Sequence, residues 1–515
     1  MSESARSTRL SLRPGAAHPA LPIVIASIGI GAVIIGVLAW RPNPMPEHSL
    51  TVYCAAALES SVKAVAQQYE QDYGVHVNLQ AGSSGSLAAQ IRSATKGDLY
   101  IPADDSFNQD AHAAGLVAET VPLAKMQLVL GIKPGNPRHL ASLDDLLKPE
   151  IVFGSANATA AAGKMTKELL TKANRWEPFI AAAKVVPPTI TELALAVQTS
   201  NLDAGPMWDV TAKQFHLDTV PLPEFAAGKS LVTAGVLKTT ADSAAALRFA
   251  RYLAAPGKGE REFTRAGFQP IDGDVWEPQP TLVVFSGGIQ RLAIKDTLAE
   301  FEKREGCRIN VIYEGCGVLL GMMRGSDAKR PDVYFACDVS FLTPEDIQPL
   351  FNPAHIMTET KLVMLTQKGN PLHLEKVEDL AKPGVKVGVA HEQLSALGAL
   401  TKILLKNKGI YDGVRANVRS GSSPKADFLV TQILTGGADA LDAVIVYEAS
   451  TSQVRDKLDM IPIPGADSRA VQPLAVGRNS QHQELAHRLE EALETAKSKQ
   501  RFEQVGFQWR AEDRP

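Results

Sequence analysis

The 515 residues carry 53 basic and 56 acidic side chains for a net charge of −3, a balance that excludes a polycationic nucleic-acid coat and a charge-dominated disordered chain. With 45% hydrophobic residues there is material for more than one core, while four cysteines, Cys54, Cys307, Cys316 and Cys337, are too few for a disulfide scaffold. No Cys-x-x-Cys or His-rich spacing suggests a metal, and no basic patch interleaved with aromatics suggests nucleic acid.

Arg6, Arg9 and Arg13 precede a stretch, residues 21–40, without a single charged side chain. That is the length a helix needs to cross the hydrocarbon layer, and the basic flank keeps residues 1–20 in the cytoplasm and sends the rest of the chain outside. The competing reading is a cleaved signal peptide with a weak site at Val37-Leu-Ala39, giving a secreted protein; Trp40-Arg41-Pro42 is a poor continuation for one. No cysteine follows closely enough for a lipoprotein. Pro42, Pro44 and Pro46 make residues 41–48 an extended linker.

A folded unit then begins. Leu50-Thr-Val-Tyr-Cys54 is a strand, Val62, Val65, Ala66 and Tyr69 have helical spacing, and residues 75–79 alternate as a strand. The loop Gly82-Ser-Ser-Gly-Ser86 leads into a helix through Leu87 and Ile91, and Leu99-Tyr-Ile101 is the next strand. This alternation predicts a parallel α/β sheet. Residues 127–130 and 151–153 are further strands, with helices over 143–147 and 164–170, which makes a second α/β lobe and a cleft between the two.

From Pro280 onward the same landmarks return. Asp98-Leu-Tyr-Ile-Pro-Ala-Asp104 recurs as Asp332-Val-Tyr-Phe-Ala-Cys-Asp338, and Gly135-Asn-Pro137 as Gly369-Asn-Pro371. Lys148-Pro149 recurs as Lys382-Pro383, and both copies close on Phe-x-x-x-Gly-Phe-Gln, at Phe263 and Phe502. A period of about 230 residues is a whole domain, not a solenoid repeat. The boundaries are 49–277 and 278–515, with Glu277-Pro-Gln-Pro280 as the seam. Residues 484–499 mix charges along an apolar-periodic helix and read as a solvated face; Asp104 and Asp338 read as caps after a strand. An exported chain permits a Cys316–Cys337 bridge, and free buried thiols fit the sequence equally.

The Gly82–Ser86 loop has the chemistry of an oxyanion site: glycines turn the backbone tightly, the helix start offers N–H groups, and serine hydroxyls add donors. It lacks the Gly-Lys-Ser/Thr ending of a nucleotide P-loop and the glycine spacing of a nucleophile elbow. A Gly/Ser turn with a helix cap is the plainer reading of the loop alone.

Taken with Tyr53-Cys-Ala-Ala-Ala-Leu58 before it and Asp98–Asp104 after it, the loop resembles the periplasmic molybdate-binding proteins, over residues 50–268 and again over 281–509. The resemblance implies a type II periplasmic-binding-protein fold, in two tandem two-lobed domains. It implies closure on a molybdate or tungstate dianion held by hydroxyls and backbone N–H groups, without a cation or cofactor, for delivery to an ABC permease. Transferred to this sequence, the ligand positions are Ala57, Ser83, Ser84, Ala162, Ile190 and Trp208 in the first domain. In the second they are Ile289, Cys316, Leu397 and Tyr447, with the counterpart of Ile190 left unplaced near residues 423–426. Ala57 and Ile289 stand where the family has a serine, and Trp208 where it has a tyrosine; Ser60 or Ser61 compensates or caps the following helix. A thiol at Cys316 donates poorly, so the second pocket binds an oxyanion more weakly, binds something softer, or binds nothing. Glu314, beside it, is expected to turn away. The alternative reading is an anchored sensor or scaffold that keeps the fold and engages a partner protein, with its clefts filled by Trp208, Ile289 or Leu397. No paired acid and base marks an enzyme.

Overall fold

The computed structural model describes residues 49–511, apart from 326–327, 420–424, 436 and 438–439. The expected membrane span at 21–40 and its linker lie outside the described residues, among which no helix is long and apolar enough to cross a membrane.

Each unit is built on the same strand order. In the first it runs Val77–Gly82, Leu50–Ala55, Leu99–Ile101, Lys229–Leu237, Val117–Ile132, Ala204–Trp208. In the second it runs Arg308–Glu314, Thr281–Gly287, Val333–Phe335, Arg469–Val476, His355–Gln367, Ala443–Tyr447 and finally Val387–Gly388. The first three strands are parallel, as the alternation with helices requires, but the fourth runs antiparallel to both its neighbours, so the sheet is mixed. Val117–Ile132 and His355–Gln367 are long enough to serve both lobes. The first pairs with Lys229–Leu237 in one lobe and with Ala204–Trp208 in the other, and shifts register at Val117/Thr120 and Pro122/Ala124.

Local chemistry explains the element ends. The helix Glu59–Tyr73 buries Val62, Val65, Ala66 and Tyr69 and stops at Gly74, whose φ of 69° lets its amide donate back to the Glu70 carbonyl. Its counterpart Arg291–Glu305 stops the same way at Gly306, φ 64°. Residues 151–153, expected as a strand, make only an isolated bridge from Phe153 to Ala204. The Val152 amide donates to the Asp203 carboxylate at 2.9 Å instead of to a neighbouring strand.

The two units share a buried ionic seam. Glu305 accepts from Arg251 Nη1 at 3.1 Å and from Arg488 Nε and Nη2 at 2.8 and 3.1 Å, with all three side chains at most 6% exposed. Arg304 forks onto Glu119 across the same boundary, and Asp274 accepts from the Glu484 and Leu485 amides at 2.8 and 3.0 Å, capping a helix of the second unit from the first. Arg488 thus corrects the solvated-face expectation: residues 484–499 split into Gln483–Leu493 and Ala496–Val505, and the first of these turns an arginine inward.

A second, half-buried polar group sits nearby. His355 Nδ1 lies 2.8 Å from Glu490 and Nε2 2.6 Å from Glu494. Burial pulls the imidazole down, but the two carboxylates outweigh it and raise its pKa to about 9; Glu490, itself penalised by burial, is held down at about 2 by His355 and His487. A raised histidine stabilises fully below its unfolded value near 6.5 and loses that contribution as pH rises through 9. Thermal melts should therefore fall between pH 6.5 and 9, and His355→Gln should flatten that slope.

Candidate functional site

In the first unit, three helices begin at the cleft between the lobes: Ser84–Ser93, Ala161–Lys172 and Ile190–Thr199. The first-turn amides of a helix have no intrahelical acceptor, and the helix start carries partial positive charge. Ser83 and Thr189 cap two of these helices, accepting from the Ser86 and Glu192 amides at 3.2 Å. Deeper in, Ser84 Oγ accepts from the Ala103 amide at 3.1 Å, leaving its own proton to donate.

These elements enclose a cavity of about 10 Å³. It is lined by Ala57, Ser83, Ser84, Ala162, Ile190 and Trp208, together with Ala103 and Thr189, and by no charged side chain. All six positions transferred from the resemblance therefore meet at one place. Trp208 ends the strand Ala204–Trp208, is fully buried, and its indole N–H has no hydrogen-bond partner. Such a buried orphan donor costs about 1–3 kcal/mol. The lobes are drawn together here, since Gly85 N–H donates to the Thr159 carbonyl at 2.7 Å across the cleft. Ser61 is a buried hydroxyl without a partner and does not cap its helix, whose N-cap position is Leu58. Asp104 and Asp338 cap their turns, accepting from Ser106 N at 3.1 Å and Ser340 N at 3.0 Å.

The second cleft has the same plan and different chemistry. Its cavity is about 70 Å³, lined by Ile289, Cys316 and Tyr447, with Cys337, Ser395, Ala396 and Ala426 around them. Leu397 is buried one residue further along the helix Ala396–Asn407 and does not line it; Ser395 and Ala396 hold that place. The unplaced counterpart of Ile190 is Ala426, first residue of Ala426–Thr435 as Ile190 is of Ile190–Thr199. Glu314 lines the cavity instead of turning away, held by Lys425 Nζ at 2.9 Å, and Arg291 stacks over Tyr313. Burial pushes the nearby Asp427 carboxyl up, against the pull of Arg291 and Lys425. The rim is thus charged where that of the first cleft is neutral.

The cysteines are free and buried. The Cys337 amide donates to Cys316 Sγ at 3.2 Å, reproducing the contact of Ala103 with Ser84. Sequence reasoning missed Ala103 and Cys337 as cleft residues, although both sit in the repeated Asp-to-Asp motif.

A family model described as bacterial extracellular solute-binding protein matches residues 50–269 and 282–508. The chain belongs to this family. Both solute-binding units are matched over nearly their full length, so the repeat read in the sequence is a tandem pair of family domains. Relatives of the solute-binding pair include the molybdate-binding protein ModA of Mycobacterium tuberculosis H37Rv, 26% identical over 226 residues, 43% of this chain and 84% of the relative. A putative binding protein of Haemophilus influenzae is 23% identical over 233 residues, covering 43% and 91%. Among solved structures, the periplasmic molybdate-binding protein of Azotobacter vinelandii is 19% identical with a TM-score of 0.37, covering 42% of this chain and 98% of that one. The sulfate-binding protein SubI of M. tuberculosis is 15% identical with a TM-score of 0.39, covering 46% and 90%.

Proposed function

We propose that this solute-binding protein is held at the outer face of a membrane by residues 21–40, and that its first domain captures a tetrahedral oxyanion, molybdate or tungstate, for an ABC permease. The observation that carries the reading is the uncharged cradle of the first cleft, where three helix starts, the Ser84 hydroxyl and the orphaned Trp208 N–H converge. Donors without a neutralising cation suit a fully deprotonated anion, because a protonated one would set a donor against a donor. The named ligand of the ModA relatives supports the same choice.

Calorimetry on the full chain in detergent, with molybdate, tungstate, sulfate and phosphate in turn, tests it. Molybdate and tungstate should bind, and the pair Trp208→Tyr and Trp208→Phe isolates the donor. The two variants differ by one hydroxyl, and a hydrogen bond to a charged ligand contributes about 1.5–3 kcal/mol, so the Phe variant should bind about 10- to 100-fold more weakly than the Tyr variant.

A second reading rests on its own observation. At 10 Å³, about the space one water needs, the first cavity is nearly closed by Trp208 and its neighbours, as a scaffold that engages a protein partner would have it. No heat from any of the four anions would decide for that reading.

A further inference from the structure

We infer that the second cleft is a dithiol site for a small, thiol-seeking trivalent oxyacid of the arsenite class, bridged by Cys316 and Cys337 and hydrogen-bonded by Tyr447. The inference concerns the second cleft and does not depend on which anion, if any, enters the first.

Three observations lead to it. The first is a paired replacement. Where the first cleft has the Ser84 hydroxyl and the Ala103 methyl, the second has sulfur at both positions, with the same amide-to-side-chain hydrogen bond retained at 3.2 Å. The two cysteines line the same cavity, joined by that amide-to-sulfur bond, and Gly287 makes the room: a Cβ there would lie 2.0 Å from Cys337 Sγ.

The second is space. At about 70 Å³, the second cavity admits a small polyatomic ligand without any parting of its lobes. The third is Tyr447, fully buried on the cavity wall with a hydroxyl that has no hydrogen-bond partner. A buried, unpartnered hydroxyl in the wall of a cavity that two thiols also line is a group waiting for a ligand oxygen.

The chemistry balances without an oxidant. Two element–oxygen bonds of the oxyacid break and two element–sulfur bonds form; the two thiol protons leave with the two hydroxyls as water, the element stays trivalent, and its remaining hydroxyl faces Tyr447. Attack needs a thiolate. Cys316 is the one favoured, since its sulfur stands at the first turn of the helix Cys316–Arg324 and accepts from the Cys337 amide at 3.2 Å. The other two cysteines are solitary, and burial pushes both thiols up, Cys307 to about 12.

The test uses the full chain, reduced with a phosphine and titrated with sodium arsenite, followed by calorimetry and by intact-mass measurement of the adduct. One equivalent should bind, with a mass gain equal to arsenious acid less two waters. Closing the second bond within the protein is worth about 10²- to 10⁴-fold, so Cys316→Ser and Cys337→Ala should each weaken binding at least 100-fold. Tyr447→Phe should weaken it about 10-fold. The double variant Cys316→Ser/Cys337→Ala recreates the pair found in the first cleft, so the fold accommodates it, and its melting temperature checks that. Absence of an adduct on the reduced protein, or an adduct that survives in the folded double variant, would overturn the inference.

Discussion

Glu305→Ala is expected to destabilise the chain by about 3–5 kcal/mol, the cost of stranding buried charge once its partner is removed. Glu305 is the only acidic side chain within salt-bridge distance of Arg251 and Arg488 among the described residues, and each arginine is at most 6% exposed. Without the carboxylate, the two guanidiniums face each other in a region that water hardly reaches. Arg251 keeps one contact, Nη1 donating to the Glu305 carbonyl at 2.8 Å, which the alanine preserves. Arg488 keeps none of its bonds to that side chain. Because the cluster joins helices of both units, the loss should also separate their unfolding. Urea titrations of the wild type should show one transition, and those of Glu305→Ala two, with Trp208 and Trp276 reporting the first unit and Trp509 the second. A triple replacement by apolar residues of similar size should recover most of the loss, since such a cluster is often no better than a packed core. A change below about 1 kcal/mol for Glu305→Ala would show that the arginines turn out into the groove of about 820 Å³ that opens beside them between the units.

That cluster also marks where the sequence stops being legible. Helices, strand ends and cleft loops are local features, set by apolar spacing and by glycines such as Gly74 and Gly306, and a duplicated chain displays each twice. The six positions of the first cleft came from the family resemblance, which itself rests on short motifs whose order along the chain is the signal. What was missed depends on contacts between distant segments. Arg488 sits among charged residues and looks solvated until Arg251 and Glu305, from two other helices, are brought beside it. Ala103 and Cys337 belong to the cleft only because their amides reach Ser84 and Cys316, 19 and 21 positions away. Leu397 is the second residue of its helix, as Ala162 is in the first unit, yet Ala162 lines its cavity and Leu397 does not, a difference no local pattern carries. Residues 151–153 lose their strand to a side chain, Asp203, that no pattern over three residues contains.

Gly163→Ala should be the most damaging single-methyl change in the first cleft, and Gly398→Ala is its counterpart in the second. A Cβ on Gly163 would lie 2.2 Å from the Asn157 carbonyl oxygen and 2.4 Å from that of Ala156; on Gly398 it would lie 2.2 Å from His391 O and 2.7 Å from Ala390 O. In both cases the obstruction is backbone, so a side-chain rotation cannot relieve it, and overpacking of this kind costs about 1–3 kcal/mol or more. The displaced segment is also the one that shapes the site. The turn closed by the Ala160 amide on Asn157 O, at 2.8 Å, sets the start of the helix Ala161–Lys172 that lines the first cavity. Gly163→Ala should therefore weaken oxyanion binding in the first domain at least about 10-fold while leaving arsenite uptake in the second unchanged, and Gly398→Ala should do the reverse. Gly321 supplies the opposite sign. It lies within the helix Cys316–Arg324 with nothing within 4 Å of an added Cβ, so Gly321→Ala should stabilise by about 0.8–1 kcal/mol through helix propensity alone. The same added methyl thus separates glycines needed for close backbone approach from a glycine that is not, and thermal melts of the three variants read the difference directly.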